Sequence, residues 1–273
     1  MDNSFEFFPP KTPEGKEKLR ATWQELAKLR PRFFSCTFGA GGSTREGTLE
    51  TVLEIRKAGH QAAPHISCVA SSRKDIADQL ERYRSSGIRH LVALRGDLPS
   101  GLAASGEFRH ADELVRFIRE TTGDWFRIEV ACYPEYHPQT RSAEDEIRYF
   151  RRKVDAGADA AITQYFYNAD AYFRFVDESR RAGIGVPIVP GIMPIGNYSQ
   201  LARFSDACGA EIPRWLRMKL ESFRDDSAGI RAYGLDVVTA LCEKLIAGGA
   251  PGLHFYTLNQ AQLSAEIWRR LKL

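Results

Sequence analysis

No stretch of this sequence stays apolar for the ~20 residues that a membrane-crossing helix needs. Its first ten residues, Met1 to Pro10, carry neither a basic region nor a long apolar run, so no signal peptide is expected. Charge of one sign is also scarce. Lys and Arg total 38 against 35 Asp and Glu, a formal +3, which is too little for the basic face of a nucleic-acid binder. The Arg-rich pieces, such as Arg148 to Lys153, fall on expected helices and are interleaved with core positions. The five cysteines (Cys36, Cys68, Cys132, Cys208 and Cys242) are odd in number and far apart. No disulfide framework follows from that spacing, and the expectation is reduced thiols in a cytoplasmic protein. Three of them stand in apolar runs, where a cysteine behaves as a small buried hydrophobe.

Chemical signatures are missing too, and each absence removes a class. Gly39-Ala40-Gly41-Gly42-Ser43-Thr44 lacks the third glycine of a dinucleotide fingerprint, and no Walker loop is present. Neither a Cys-x-x-Cys pair nor a His-x-x-x-His pair offers zinc ligands. No lysine closes an expected strand, which disfavours a Schiff-base aldolase, and no Gly-x-Ser-x-Gly elbow marks a hydrolase.

What is present is ordinary in composition and regular in order. With 43% hydrophobic and 27% charged residues over 273 positions, the chain has the make-up of a globular protein. A cassette of about thirty residues repeats along it: a short apolar run, a polar break, a helical pattern, then glycine. The apolar runs are Phe5 to Phe8, Phe33 to Phe38, Ala62 to Cys68, His90 to Leu94, Ile128 to Cys132, Ala160 to Tyr165, Val186 to Ile192 and Gly252 to Thr257. Ser43 with Glu46, Ser72 with Asp75 and Ser142 with Asp145 open helices as caps. Gly59, Gly87, Gly157 and Gly183 follow helix ends. Strict alternation of strand and helix implies right-handed βαβ units and a parallel sheet. Eight strands without a flexible linker favour a closed (β/α)8 TIM barrel over an open sheet, as one α/β domain across residues 1–273 with an extra helix before the last strand.

In such a barrel the chemistry sits at the carboxyl ends of the strands. Those positions read Glu6, Thr37, His65, Asp97, Tyr133 with His137, Gln164, and Thr257 with Asn259. Bland readings stand beside each: Thr37 as a plain strand residue, Asp97 as a turn cap, and His65 and His254 as hydrogen-bonded core histidines. Glu6 is the sharpest. In a strand it points away from Phe5 and Phe7, and burial among apolar groups would raise its pKa, making it a candidate general acid. A surface glutamate on a frayed first strand is the alternative.

Several blocks resemble the methylenetetrahydrofolate reductase family. They are Phe5-Glu6-Phe7-Phe8-Pro9-Pro10, Ala63-Pro64-His65, Ala93-Leu94-Arg95-Gly96-Asp97, Tyr133-Pro134-Glu135 with His137-Pro138, Lys153 to Ala158, Ile162-Thr163-Gln164, and His254 to Asn259. They occur in order from about residue 5 to the C-terminus, as in the short bacterial form. The resemblance implies a cytoplasmic (β/α)8 flavoprotein that forms homo-oligomers. In it NADH or NADPH reduces FAD and leaves, and 5,10-methylenetetrahydrofolate then takes its place and becomes 5-methyltetrahydrofolate, a methyl source for methionine synthesis.

By that resemblance Glu6 protonates the folate and Asp97 stabilises the cation formed. Gln164, Gln200, Phe204 and Asp97 contact substrate. Gln260 stands where the family usually has Arg, which removes one positive charge from the folate side. The resemblance places FAD on Thr37, Phe38, His65, Arg95, Gly96, Asp97, Ala111, Tyr133, His137, Arg152 and Lys153, and more loosely on His110, Glu146 and Tyr149. No metal is implied. Two other classes remain open from the residues alone: a phosphate-binding lyase or isomerase using the Gly39 to Ser43 loop as an anion nest, and a flavin- or folate-binding protein without catalysis.

Overall fold

The computed structural model describes residues 1–38, 45–96 and 106–273. Asp97 and the Gly39 to Ser43 loop, with its Ser43 cap, lie outside the described residues.

The chain alternates as the sequence predicts. β1 (Ser4–Phe7), β2 (Phe33–Cys36), β3 (Ala62–Ser67), β4 (His90–Leu94), β5 (Arg127–Cys132) and β6 (Ala160–Thr163) are each followed by a helix. These are α1 (Pro13–Ala27), α2 (Arg45–Lys57), α3 (Arg73–Ser85), α4 (Ala111–Thr122), α5 (Ala143–Asp155) and α6 (Ala169–Arg181). With β7 (Ile188–Val189), β8 (Gly191–Ile192) and β9 (His254–Tyr256), every ladder is parallel, in the order β7-β6-β5-β4-β3-β2-β1-β9-β8. The Pro-interrupted run is two short pieces, β7 on β6 and β8 on β9. Pro190 carries no N–H, so the ladder breaks there, yet its carbonyl accepts from His254 N at 3.0 Å. The stretch thus spans from one end of the sheet order to the other and closes the barrel.

Between β8 and β9 stand α7 (Tyr198–Cys208), α8 (Arg214–Ser222) and α9 (Ser227–Ala247), and α10 (Gln262–Arg270) follows β9. The sequence pattern resolves only α7 and α9 in that interval. The nine residues of α8 bury just Leu216 and Leu220, too few turns for a clear period.

Helix starts follow local chemistry. The Ser72 hydroxyl accepts from Asp75 N while the Asp75 carboxylate accepts from Ser72 N, a complete capping box. Ser142 caps α5 by accepting from Asp145 N.

Alternation along the strands sorts side chains to the two faces of the closed sheet. Phe33, Ala63, Val92 and Ile162 form a small apolar cluster inside the barrel. Phe5, Phe7, Phe34, Leu91, Ile128 and Phe255 belong to the larger layer between barrel and helices. β1 is only four residues long, but its outward rings fix it. Phe5 packs on Phe34, Phe255 and Trp268 with centroids 6.1, 5.5 and 5.2 Å apart, and Phe7 on Phe34 at 5.5 Å. Rings buried this way contribute about 3–5 kcal/mol each against truncation. β1 is therefore anchored rather than frayed, and Glu6, between the two rings in sequence, is turned into the barrel.

Candidate active site

Glu6 is held at both ends. Its carbonyl accepts from Thr257 Oγ1 at 2.6 Å and from Thr257 N at 3.3 Å, tying β1 to the end of β9. Its Oε2 lies 3.2 Å from His254 Nε2 and 3.3 Å from His65 Nε2. Only the His254 approach has hydrogen-bond geometry, and His65 Nε2 is otherwise without a partner. The second ring nitrogen of His254, Nδ1, bonds Ser4 Oγ at 2.7 Å. Ser4 and Glu6 are two residues apart on β1, so both face inward, and the register sets Ser4 against His254. The result is a chain Ser4–His254–Glu6 with His65 on the open flank.

Aromatic walls hold the imidazole of His254. Phe33 stacks at 6.1 Å, and Tyr256 meets it edge-on at 5.3 Å while donating to the Thr163 carbonyl at 2.7 Å. His254 is fully buried and Glu6 retains 16% side-chain exposure. A second buried pair lies inside the barrel, where Glu129 Oε1 is 3.1 Å from His90 Nε2 and 3.5 Å from Arg127 Nε.

The electrostatics of Glu6 differ from the sequence expectation. Burial does push its carboxyl upward, but the His65 charge and the His254 hydrogen bond outweigh burial and hold it down at about 2. Sequence reasoning counted the apolar neighbours Phe5 and Phe7, which point the other way, and could not count imidazoles brought from residues 65 and 254. Ionised Glu6 therefore stabilises the fold. That contribution is complete above pH 4.5, the ordinary value, and is lost as pH falls through about 2. The span corresponds to about 3 kcal/mol. Urea unfolding should show Glu6→Gln less stable than the parent at pH 7 by up to that amount, with the gap narrowing below pH 4.5; a gap independent of pH would contradict this assignment.

The other candidate residues occupy the same end of the barrel. Thr37 and Phe38 follow β2, with Arg45 lying 5.7 Å over the Phe38 ring. Gly96 follows β4 at φ +86°, and a Cβ there would run into the Ser67 side chain, so the backbone passes flush against β3. Arg95 donates to Gln139 Oε1 at 2.6 Å. Tyr133 and His137 pack edge-to-face at 4.7 Å after β5. His110 and Ala111 form the entry to α4, and the His110 ring stacks on Tyr149 of α5 at 6.3 Å.

Three candidates are already engaged by the protein itself. Glu146 is buried and accepts from His137 N at 3.1 Å and Thr140 Oγ1 at 2.8 Å, shaping the loop. Arg152 pairs with Asp112 at 2.8 Å. Lys153 donates to the Ala131 carbonyl at 2.6 Å, and burial draws its pKa down. Gln164 ends β6, its Oε1 accepting from Tyr165 N at 2.9 Å. Gln200 and Phe204 stand one turn apart on α7, and Gln260 is exposed after β9.

Sequence reasoning missed Ser4, Tyr256 and the partnership of His254 with Glu6. The only signal was period-two alternation in the last strand, which puts His254 and Tyr256 on one face. Cys36, Cys68 and Cys132 are buried free thiols, as their apolar runs suggest, and Cys242 on α9 is buried as well.

The described mouth suits a flavin dinucleotide. Arg95 after β4, bonded to Gln139, His137 in the loop after β5, and Arg152 and Lys153 on α5, held by Asp112 and the Ala131 carbonyl, are cationic or donor groups of the kind that a diphosphate takes. The flat His110–Tyr149 pair offers a stacking surface. Among the described residues no cluster of His, Cys, Asp or Glu could hold a metal ion, and no helix is long and apolar enough to cross a membrane.

Comparison with known proteins gives concordant findings. The family model described as methylenetetrahydrofolate reductase matches residues 1–272. The chain is 39% identical over 270 residues to 5,10-methylenetetrahydrofolate reductase of Escherichia coli (strain K12), covering 98% of this chain and 90% of that protein. It is 41% identical over 270 residues to methylenetetrahydrofolate reductase (NADH) 1 of Arabidopsis thaliana, with 94% of this chain and 46% of that protein covered. A solved structure from Clostridium thermocellum, described as an uncharacterized protein that binds two copies of 5-methyl-5,6,7,8-tetrahydrofolic acid, superposes with a TM-score of 0.71. It covers 97% of this chain and 92% of that one at 16% identity, a likeness of fold.

Proposed function

The chain belongs to the methylenetetrahydrofolate reductase family, and from that premise we propose that its barrel mouth binds FAD and uses NADH or NADPH to reduce 5,10-methylenetetrahydrofolate to 5-methyltetrahydrofolate. The observation that carries the reading is Glu6, a carboxyl fixed at the mouth between two imidazoles. When bound, a flavin would supply the hydride, and nicotinamide and folate would react with it in turn.

The chain's own residues handle the proton. Ring opening of the folate requires a proton at N10, which leaves an iminium at the carbon to be reduced. Glu6 is the group placed to give it. Because the imidazoles hold the Glu6 carboxyl down, Glu6 is ionised at rest and takes up a proton at Oε2 before giving one. His254 is suited to return it: as a cation it donates from Nε2 to Glu6 and from Nδ1 to Ser4 Oγ. The 3.2 Å and 2.7 Å separations are those of such a relay.

Phe33 and Tyr256 wall the imidazole of His254, and the partly exposed Glu6 carboxyl is the point at which the proton consumed in each turnover is replaced from solvent. Gln164, Gln200, Phe204 and Gln260 are assigned to substrate. Asp97 is assigned on the family motif to the iminium charge, where a carboxylate stabilises a cation. Thr37, Phe38, His65, Arg95, Gly96, His110, Ala111, Tyr133, His137, Glu146, Tyr149, Arg152 and Lys153 are assigned to the dinucleotide, Glu146 through the loop it shapes.

An absorbance spectrum of the purified protein and two half-reactions test the function. The protein should be yellow, bleach under anaerobic NADH or NADPH, and recover its colour with methylenetetrahydrofolate. A colourless protein that takes up no flavin would instead favour the lyase or isomerase class.

A further inference from the structure

The loop after β5 does more than border the strand end. Glu135, in its middle, reaches across to the chain leaving α7, and its Oε2 accepts from Glu211 N at 2.8 Å. Next to that bond, Gly209 closes α7 in the left-handed region, φ +76°. A Cβ at Gly209 would come within 2.9 Å of Pro138 Cγ, so the two segments lie in direct contact. The end of α7 is held a third time from β6, where the Tyr165 hydroxyl bonds Ser205 Oγ at 3.1 Å with Cys208 Sγ 3.5 Å away. The loop itself is braced from α6, since Arg174 donates to the Pro134 carbonyl at 3.1 Å and lies over the Tyr136 ring. Tyr136 has a φ of +68°, a strained value for a non-glycine that persists only where surrounding contacts impose it.

We propose that Glu135 is a positioning residue whose carboxyl fastens the loop after β5 to the chain leaving α7, and so sets the place of the helix face that carries Gln200 and Phe204. One side of the latch holds Tyr133 and His137, assigned to the dinucleotide, and the other holds the helix assigned to folate. The latch itself stands on the contacts above; its consequence for folate rests on the function proposed in the previous section.

Charge should govern the latch. Burial raises the Glu135 carboxyl to about 7, and the neighbouring Glu211 also pushes it up, while the Glu211 N–H and Arg174 pull it down. Tyr165 and Tyr167 after β6 also lie within its field, and their hydroxyls are pushed up first by burial and further by the Glu135 charge, with Cys208 of α7 beside them. Its own loop contributes Tyr136 and His137. A raised value means the neutral acid is the form the fold favours. The linked stability is full below the ordinary value and is lost as pH rises through about 7. At pH 8 the charged carboxylate is drawn toward water and the contact loosens.

Two variants test this, each with a readout in the protein as purified and one in turnover. Glu135→Gln keeps a carbonyl acceptor and cannot ionise; Glu135→Ala removes the acceptor. Amide hydrogen exchange over residues 198–212, corrected for intrinsic rates, should rise at least fivefold in the Ala variant. In the parent it should rise between pH 6 and pH 8, and in the Gln variant it should not. The KM for methylenetetrahydrofolate should follow the same order, with kcat within twofold. Unchanged exchange in the Ala variant overturns the latch. Faster exchange without a rise in KM overturns its role in placing the folate helix. If neither parent nor variants reduce the folate, the functional assignment fails while exchange still decides the latch.

Discussion

Glu6→Gln should leave the reduction of bound flavin by NADH or NADPH within about twofold of the parent, and slow folate-dependent reoxidation by about 10³-fold, the range over which a placed general acid acts. The amide is nearly the same shape and can hydrogen-bond His254 across the same gap, 3.2 Å in the parent, so the pocket is kept. What it lacks is a transferable proton. Flavin reduction needs no acid at N10, and the two half-reactions therefore separate the role of Glu6 from a general loss of structure. Stopped-flow absorbance on each half-reaction measures both. Survival of the folate half-reaction at parental rate would remove Glu6 from the mechanism.

That prediction uses a residue legible in the sequence and an environment that was not. Phe5-Glu6-Phe7 announces by alternation alone that the carboxyl and the rings face opposite ways, and the rings are indeed in the outer layer. The caps at Ser72 and Ser142 and the terminal glycines likewise placed helices correctly, because these signals act within four residues. The closing strand defied the same logic. Pro190 splits a run that reads as one strand, and which neighbour each half joins depends on the sheet closing.

The partnership of Ser4, Glu6 and His254 is of the same kind. It joins residues about 250 positions apart through the β1–β9 register, and no local pattern encodes it. Reading His254 as a satisfied core histidine was right about burial and silent about its partner. Glu135 shows the opposite limit. It sits within a recognisable motif, yet its bond to Glu211 N is a contact between two loops whose approach only the packed barrel determines.

His254→Asn should cost both stability and rate, and the two costs have different origins. His254 is fully buried with both ring nitrogens engaged. Asparagine is too short to reach Ser4 and Glu6 together, so a buried polar group loses its partner at about 1–3 kcal/mol. For a chain of this size that lowers the melting temperature by about 2–10 °C. In the folate half-reaction the proton donor to Glu6 is gone. His65 remains at 3.3 Å but without the aligned bond, and the rate should fall about 10²-fold.

The pH profile should move as well. With one imidazole fewer opposing burial, the Glu6 carboxyl rises from about 2, and the residual rate should become more sensitive to pH in the acid range. The decisive comparison is the double variant. If Glu6 and His254 act as one relay, adding His254→Asn to Glu6→Gln should slow the folate half-reaction little further, because residues of one unit are not additive. Fully multiplicative losses would mean that His254 only supports the pocket and that the proton reaches Glu6 from the side of His65.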